Sequence, residues 1–145
     1  MANFAGYLFK KTVTQGTSTV DVPFPNNYIA LDTWETTPNQ REEIKAYRDD
    51  NTRNLTRVTA QGKKSTFKFK TRKYLHLAEK KEIQQFFTSS EVDANQRKIQ
   101  LTYWNDEDNQ YKTGYFYRPN MQFKIYKITD DDIIYNEMSF ELIEY

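Results

Sequence analysis

The chain has 145 residues, enough for one domain with a sizeable core. Aromatic residues make up 16% of it, too many for a disordered chain, and the net charge of +1 supplies no bulk pull toward nucleic acid or a membrane. There is no cysteine, which excludes disulfides and thiolate zinc sites, and no stretch approaches the roughly 20 apolar residues of a membrane-spanning helix.

The N-terminal "MANFAGYLFKKTV" lacks the basic start and long apolar run of a signal peptide, so a soluble protein made in a cytoplasm is expected. Gly6 to Val13 and Val20 to Phe24 read as two short strands around the turn "TQGTST", the second ended by the prolines of "PFPNN". "YIALDTW", Tyr28 to Trp34, is a third apolar run and predicts a strand.

From Glu35 to Arg57 the apolar members are only Ile44, Ala46, Tyr47 and Leu55. A polar stretch this long inside a compact domain is usually functional or mobile. The reading is a protruding arm over 35–57, structureless except for a short helical turn or a hairpin at "DDNTRN". It cannot bury much of itself against its own core.

"STFKFKTRKYL", Ser65 to Leu75, is the clearest strand: Phe67, Phe69 and Thr71 face one way, Lys68, Lys70 and Arg72 the other. "LAEKKEIQQFF", Leu77 to Phe87, predicts the one helix, with Ile83, Phe86 and Phe87 at i, i+3 and i+4. Alternation then returns over Lys98 to Trp104, Tyr111 to Tyr117, Met121 to Ile128 and Ile133 to Ile143. In the last of these Met138, Phe140 and Leu142 share a face. Strands spaced near ten residues with polar turns predict antiparallel pairing in a sandwich or barrel.

Chemistry-bearing constellations are scarce. His76, between a strand and the helix, has no identifiable nucleophile or orienting carboxylate, so it reads as a boundary residue at a helix start. Four scattered glycines, Gly6, Gly16, Gly62 and Gly114, build no phosphate loop. "NDEDN", Asn105 to Asn109, clusters oxygen ligands but lacks the glycine and distal glutamate of a calcium loop, and reads as a hairpin turn, as does "TDDDII". The carboxylates are numerous but no spacing singles out a catalytic pair. No catalytic, cofactor or metal residue is assigned.

Two charge features remain. Lys63 to Lys73 holds six Lys or Arg residues and no acid, while Thr129 to Tyr145 holds six acids and no base. Strand alternation puts Phe67 and Phe69 opposite the lysines, so they read as core and the lysines as a solvated or partner-facing row. The basic and acidic strands could pair in one sheet or across subunits, at roughly 0.2–1 kcal/mol per opposed pair. Tyr103, Trp104, Tyr111, Tyr115 and Tyr117 offer more aromatic surface than a small core encloses, as protein interfaces do. The stretch reads as a wall for other copies or other proteins.

"TWETTPNQREEIKAYRD" (33–49), "LTRVTAQGKKSTFKFKT" (55–71) and "YWNDEDNQYKTGYFYRP" (103–119) give the chain, from about Tyr28 onward, a resemblance to small prophage tail-region proteins and to the phage tail-tube and distal-tail superfamily. The resemblance implies a tail-tube-like fold: a single domain over 1–145, mainly β, with one short helix and the arm. It implies a non-enzymatic subunit of a virion tail, made in the host bacterial cytoplasm and forming a ring, a hexamer in that superfamily, with other tail proteins. DNA would pass through the channel without specific binding, and neither a membrane nor a small-molecule substrate is involved. Candidate subunit contacts are Trp34, Arg41, Tyr47 and Arg48 around the arm, Lys68, Lys70 and Arg72 on the basic strand, Trp104 and Tyr117, and Glu137 and Glu141. An acidic lumen could add Glu144. The alternatives are a nucleic-acid-binding β-barrel using Lys63–Lys73, and a carbohydrate-binding sandwich stacking sugars on Trp34, Trp104 and nearby tyrosines.

Overall fold

The computed structural model describes residues 4–41, 43–59 and 62–145. Along the chain run β1 (Phe9–Gln15), β2 (Ser18–Pro23), a 3-10 turn (Asn26–Tyr28), β3 (Glu35–Gln40), β4 (Glu43–Arg48), β5 (Leu55–Thr59), β6 (Lys64–Lys70), β7 (Leu75–His76), α1 (Leu77–Thr88), β8 (Lys98–Asn105), β9 (Gln110–Tyr117), β10 (Ile125–Ile128), β11 (Ile133–Tyr135) and β12 (Ser139–Glu144). The main sheet has seven strands in the order β2-β1-β8-β9-β12-β6-β3. A small sheet has the order β10-β11-β7, and β4 pairs with β5. All strand pairs are antiparallel. The mainly β, antiparallel class with one helix is as alternation predicts, and the main sheet stays open at β2 and β3 instead of closing into a barrel.

Four strand spacings of about 4.8 Å would hold β1 and β6 roughly 19 Å apart in a flat sheet. Instead the Phe9 ring of β1 lies 5.2 Å from that of Phe67 and 5.6 Å from that of Phe69, both on β6. The sheet coils around its inner face, as twisted sheets do, and its two halves become the walls of a sandwich. Between them lie Phe24, Ile99, Leu101, Phe116, Phe140 and Leu142, all essentially buried. Each such side chain contributes about 1.5–3 kcal/mol by leaving water. The helix packs its predicted stripe on this core: Ile83, Phe86 and Phe87 are buried, and Phe87 stacks on Phe140 at 5.3 Å. Lys11, on the inner face of β1, donates to the Phe86 carbonyl (2.7 Å) and to Ser89 Oγ (2.8 Å), a cation on the carbonyls that end α1.

Several boundaries differ from the sequence reading. Tyr28 to Trp34 is no strand. It makes a single bridge, Ile29 to Thr71, then turns through Asp32 at φ 62°, with Thr33 Oγ1 donating to the Ala30 carbonyl. The loop delivers Tyr28 to the core and packs Ile29 and Trp34 against it, while Leu31 is 93% exposed. Glu35 to Gln40, read as the start of the arm, is edge strand β3 against β6. An edge strand with one solvated face needs no apolar alternation, and Pro38 and a register shift suit an edge. Ile133 to Ile143 divides between β11 and β12, in different sheets, because the chain breaks at Asn136, whose N–H bonds the Lys124 carbonyl. Of Met121 to Ile128, only Ile125–Ile128 is strand.

Candidate functional site

The basic and acidic strands are partners within one sheet. β12 runs antiparallel to β6, with Phe140 opposite Phe69 and Leu142 opposite Phe67 on the inner face, and Glu141 opposite Lys68 on the outer. On its other side Lys68 faces Glu35 of β3, Nζ to Oε2 at 3.2 Å. Lys70 lies with Glu137 and Glu141 around an open groove of about 860 Å³ that also holds Lys73 and Lys124. Arg72 pairs with Glu79 on α1 and sits over the Tyr28 ring. The charges of 63–73 are thus partly offset by acids of the same chain. Glu144 is not a free outer acid: it turns inward, and its Oε1 accepts the Ser65 N–H at 2.8 Å.

The two tryptophans lie on opposite faces. Trp34 is half-buried against Phe67 at 5.0 Å and Phe9 at 5.9 Å, so it belongs to the core and not to a contact surface. Trp104 is on the outer face, edge-on to Phe4 at 5.4 Å and to Tyr111 at 5.1 Å. They form no common stacking platform. Tyr103 is also core, buried between Phe67 and Phe116, contrary to its place among the wall residues. Its neighbours lie on the outer face: Lys98 lies over the rings of Tyr115 (5.0 Å) and Tyr145 (4.5 Å), and Tyr145 meets Tyr117 edge-on at 5.4 Å. The outer face thus carries two aromatic groups, Trp104 with Tyr111 and Tyr115 with Tyr117 and Tyr145, separated by the hydrogen-bonded Thr102–Thr113 pair.

His76 occupies the N-cap of α1. Its Nδ1 lies 2.5 Å from Asp132 Oδ2, and its N–H donates to Glu79 Oε1 at 3.1 Å. The His76 hydrogen bond, with the Ile133 N–H, holds the Asp132 carboxyl below its ordinary range. The pair fastens the β10–β11 turn to the helix start. "NDEDN" is the β8–β9 turn: buried Asn105 accepts the N–H groups of Glu107 and Asp108 at its Oδ1. Among the described residues no group of three or more His, Asp or Glu side chains is placed to hold a metal.

The sequence did not reveal what stands at the arm's root. Tyr103 Oη donates to Ser65 Oγ (2.7 Å), which also accepts the Asn39 N–H (3.1 Å). Asn105 Nδ2 donates to Asn39 Oδ1, and Asn39 Nδ2 to Asp108 Oδ2, both at 3.1 Å. Lys112 completes the chain on Asp108. This network locks the end of β3, the start of β6 and the β8–β9 turn together where the arm leaves the body. Only contact in the fold joins residues so far apart in sequence.

The arm itself is the β4–β5 hairpin, turned at Asp49, whose Oδ1 accepts the N–H groups of Asn51 (2.8 Å) and Thr52 (2.9 Å). Glu42, and Ala60 and Gln61 beyond β5, lie outside the described residues, as do Met1 to Asn3 at the N-terminus. Every residue from Lys45 to Val58 is exposed, including Tyr47 and Arg48, and so is Arg41 at the root. Strand alternation cannot show this, because the hairpin is wet on both faces. A second exposed apolar surface lies on the small sheet: Ile125, Tyr126 and Ile128 are 51%, 55% and 69% exposed, and Tyr126 meets Tyr74 edge-on at 4.7 Å.

No curated protein and no solved structure matches the chain. A family model matches residues 1–145, and the chain belongs to that family of unknown function (DUF6711).

Proposed function

We propose that the protein is a non-enzymatic structural subunit of a phage-like tail, which assembles with copies of itself and with other tail proteins into a ring around a channel. The observation that carries this reading is the β4–β5 hairpin. A two-stranded hairpin is marginal in water by itself, and this one is exposed from Lys45 to Val58, on a root that a buried polar network ties to the body. Such a segment is stabilised by a neighbour's surface. The aromatic outer face and the exposed small sheet offer further contact area of the kind found at interfaces. The resemblance of 33–49, 55–71 and 103–119 to tail-region proteins supplies the setting.

Electron microscopy of the purified full chain tests the reading. Ring-shaped particles with a central channel are expected; particles of single-chain size at high concentration contradict it.

A further inference from the structure

Two strand pairs in this molecule end in open edges that carry exposed apolar side chains, and they lie at opposite ends of β6. The hairpin enters β6 at Lys64, and the small sheet leaves it beyond Lys70 through β7. Six residue steps of about 3.3 Å put roughly 20 Å between those ends. At one end, the hairpin joins no other strand among the described residues and exposes Tyr47, Leu55 and Val58. At the other, β10 is the outer strand of the small sheet, paired only with β11, and exposes Ile125, Tyr126 and Ile128. An unpaired strand edge offers main-chain donors and acceptors on which another chain can add. Among the described residues no further strand pairs with either edge.

The charges are opposite in sign. The hairpin over 43–59 carries four bases, Lys45, Arg48, Arg53 and Arg57, against three acids, Glu43, Asp49 and Asp50. The β10–β11 turn carries Asp130, Asp131 and Asp132 in succession, of which Asp132 is engaged by His76 and Asp130 is exposed.

We propose that the β10 edge of one copy receives the β4–β5 hairpin of a second copy. The hairpin adds to the small sheet as further strands, its apolar residues lie against Ile125 and Ile128, and its bases lie toward Asp130 and Asp131. Main-chain hydrogen bonds of strand addition provide the affinity, and alternate side chains set the register. Donor and acceptor differ, so the contact is head-to-tail. Contacts of this kind close into a ring or propagate as a filament, according to the rotation they impose. The inference rests on the self-assembly proposed above and adds the acceptor surface.

A charge exchange separates the two claims. Asp130 and Asp131 are outside the core, and replacing them leaves the His76–Asp132 pair in place. Asp130→Lys with Asp131→Lys is expected to raise the concentration for half-assembly by at least about tenfold. Mixing that protein with Arg48→Glu/Arg53→Glu chains is expected to recover co-assembly that neither variant shows alone. Thermal melts of both variants, read as monomers, serve as the folding control and should match the parent. Assembly of the Asp130/Asp131 variant at the parent's concentration overturns the acceptor assignment and leaves the ring reading standing. Loss of assembly without recovery on mixing also overturns it. A parent chain that never assembles overturns both.

Discussion

Arg118 and Glu91 form a buried ion pair, Nη2 to Oε1 at 3.2 Å, with the guanidinium 4.8 Å from the Phe87 ring centre. Burial lowers the Arg118 pKa, and the Glu91 charge raises it again. The pair joins the segment after α1 to the end of β9. Breaking such a pair from one side strands a charge in the interior. Glu91→Ala is therefore expected to cost about 3–5 kcal/mol in chemical denaturation, whereas Glu91→Leu with Arg118→Met lies near neutral. A cost below about 1 kcal/mol for the single variant contradicts this account.

Ser65 is the hub of the network under the arm. Ser65→Ala removes the acceptor of both Tyr103 Oη and the Asn39 N–H. Leaving buried donors unsatisfied costs about 1–3 kcal/mol. Amide hydrogen exchange should also quicken at Asn39 and in the β8–β9 turn, which depend on the network, but not at Ile83 in α1. Uniform change across the chain argues against a local clamp.

Gly114 faces the Glu144 carboxylate: an added Cβ would overlap it. Glu144 can swing aside, but only by giving up its bond to the Ser65 N–H. Gly114→Ala is expected to cost about 1–3 kcal/mol, the worth of a charge-assisted bond plus some overpacking. In a Glu144→Ala background the same change should cost little. Additive costs in that double-mutant cycle contradict the contact.

Tyr28 gives a pH signature. Burial first, and then its hydrogen bond to Glu82 (2.7 Å), push the phenol up to about 12. An unfolded tyrosine ionises near 10. Below that value the contribution is fully present. From about pH 10 to 12 the unfolded chain gives up a proton that the folded chain keeps, so stability falls as pH rises. Urea titrations of the parent and Tyr28→Phe should show the parent's advantage shrinking through that window. A difference that stays constant from pH 8 to about 12 removes the linkage.

Strands with one wet face and one dry face were legible in the sequence. Phe67 and Phe69, Ile99 and Leu101, and Met138, Phe140 and Leu142 all face the core as alternation requires, and Ile83, Phe86 and Phe87 mark the helix. Trp34 and Tyr103 misled because a large aromatic ring reads the same in a core as on a surface; which one it is depends on the coiling that brings β1 to β6. Lys11 is the converse, a base on an inward position that is tolerated because the last carbonyls of α1 need a donor. β3 was hidden because an edge strand is free of apolar alternation. The pairing of Lys68 with Glu35 and Glu141 could not be chosen over pairing between subunits until strand order was known.

The central claim is that the hairpin over 43–59 is sheltered by a neighbouring copy. Sedimentation velocity on the full chain, beside a variant in which that hairpin is replaced by a short Gly-Ser linker, tests it most directly. The account predicts one discrete oligomer for the full chain and a folded monomer for the variant. A full chain that stays monomeric, or a variant that forms the same oligomer, contradicts it.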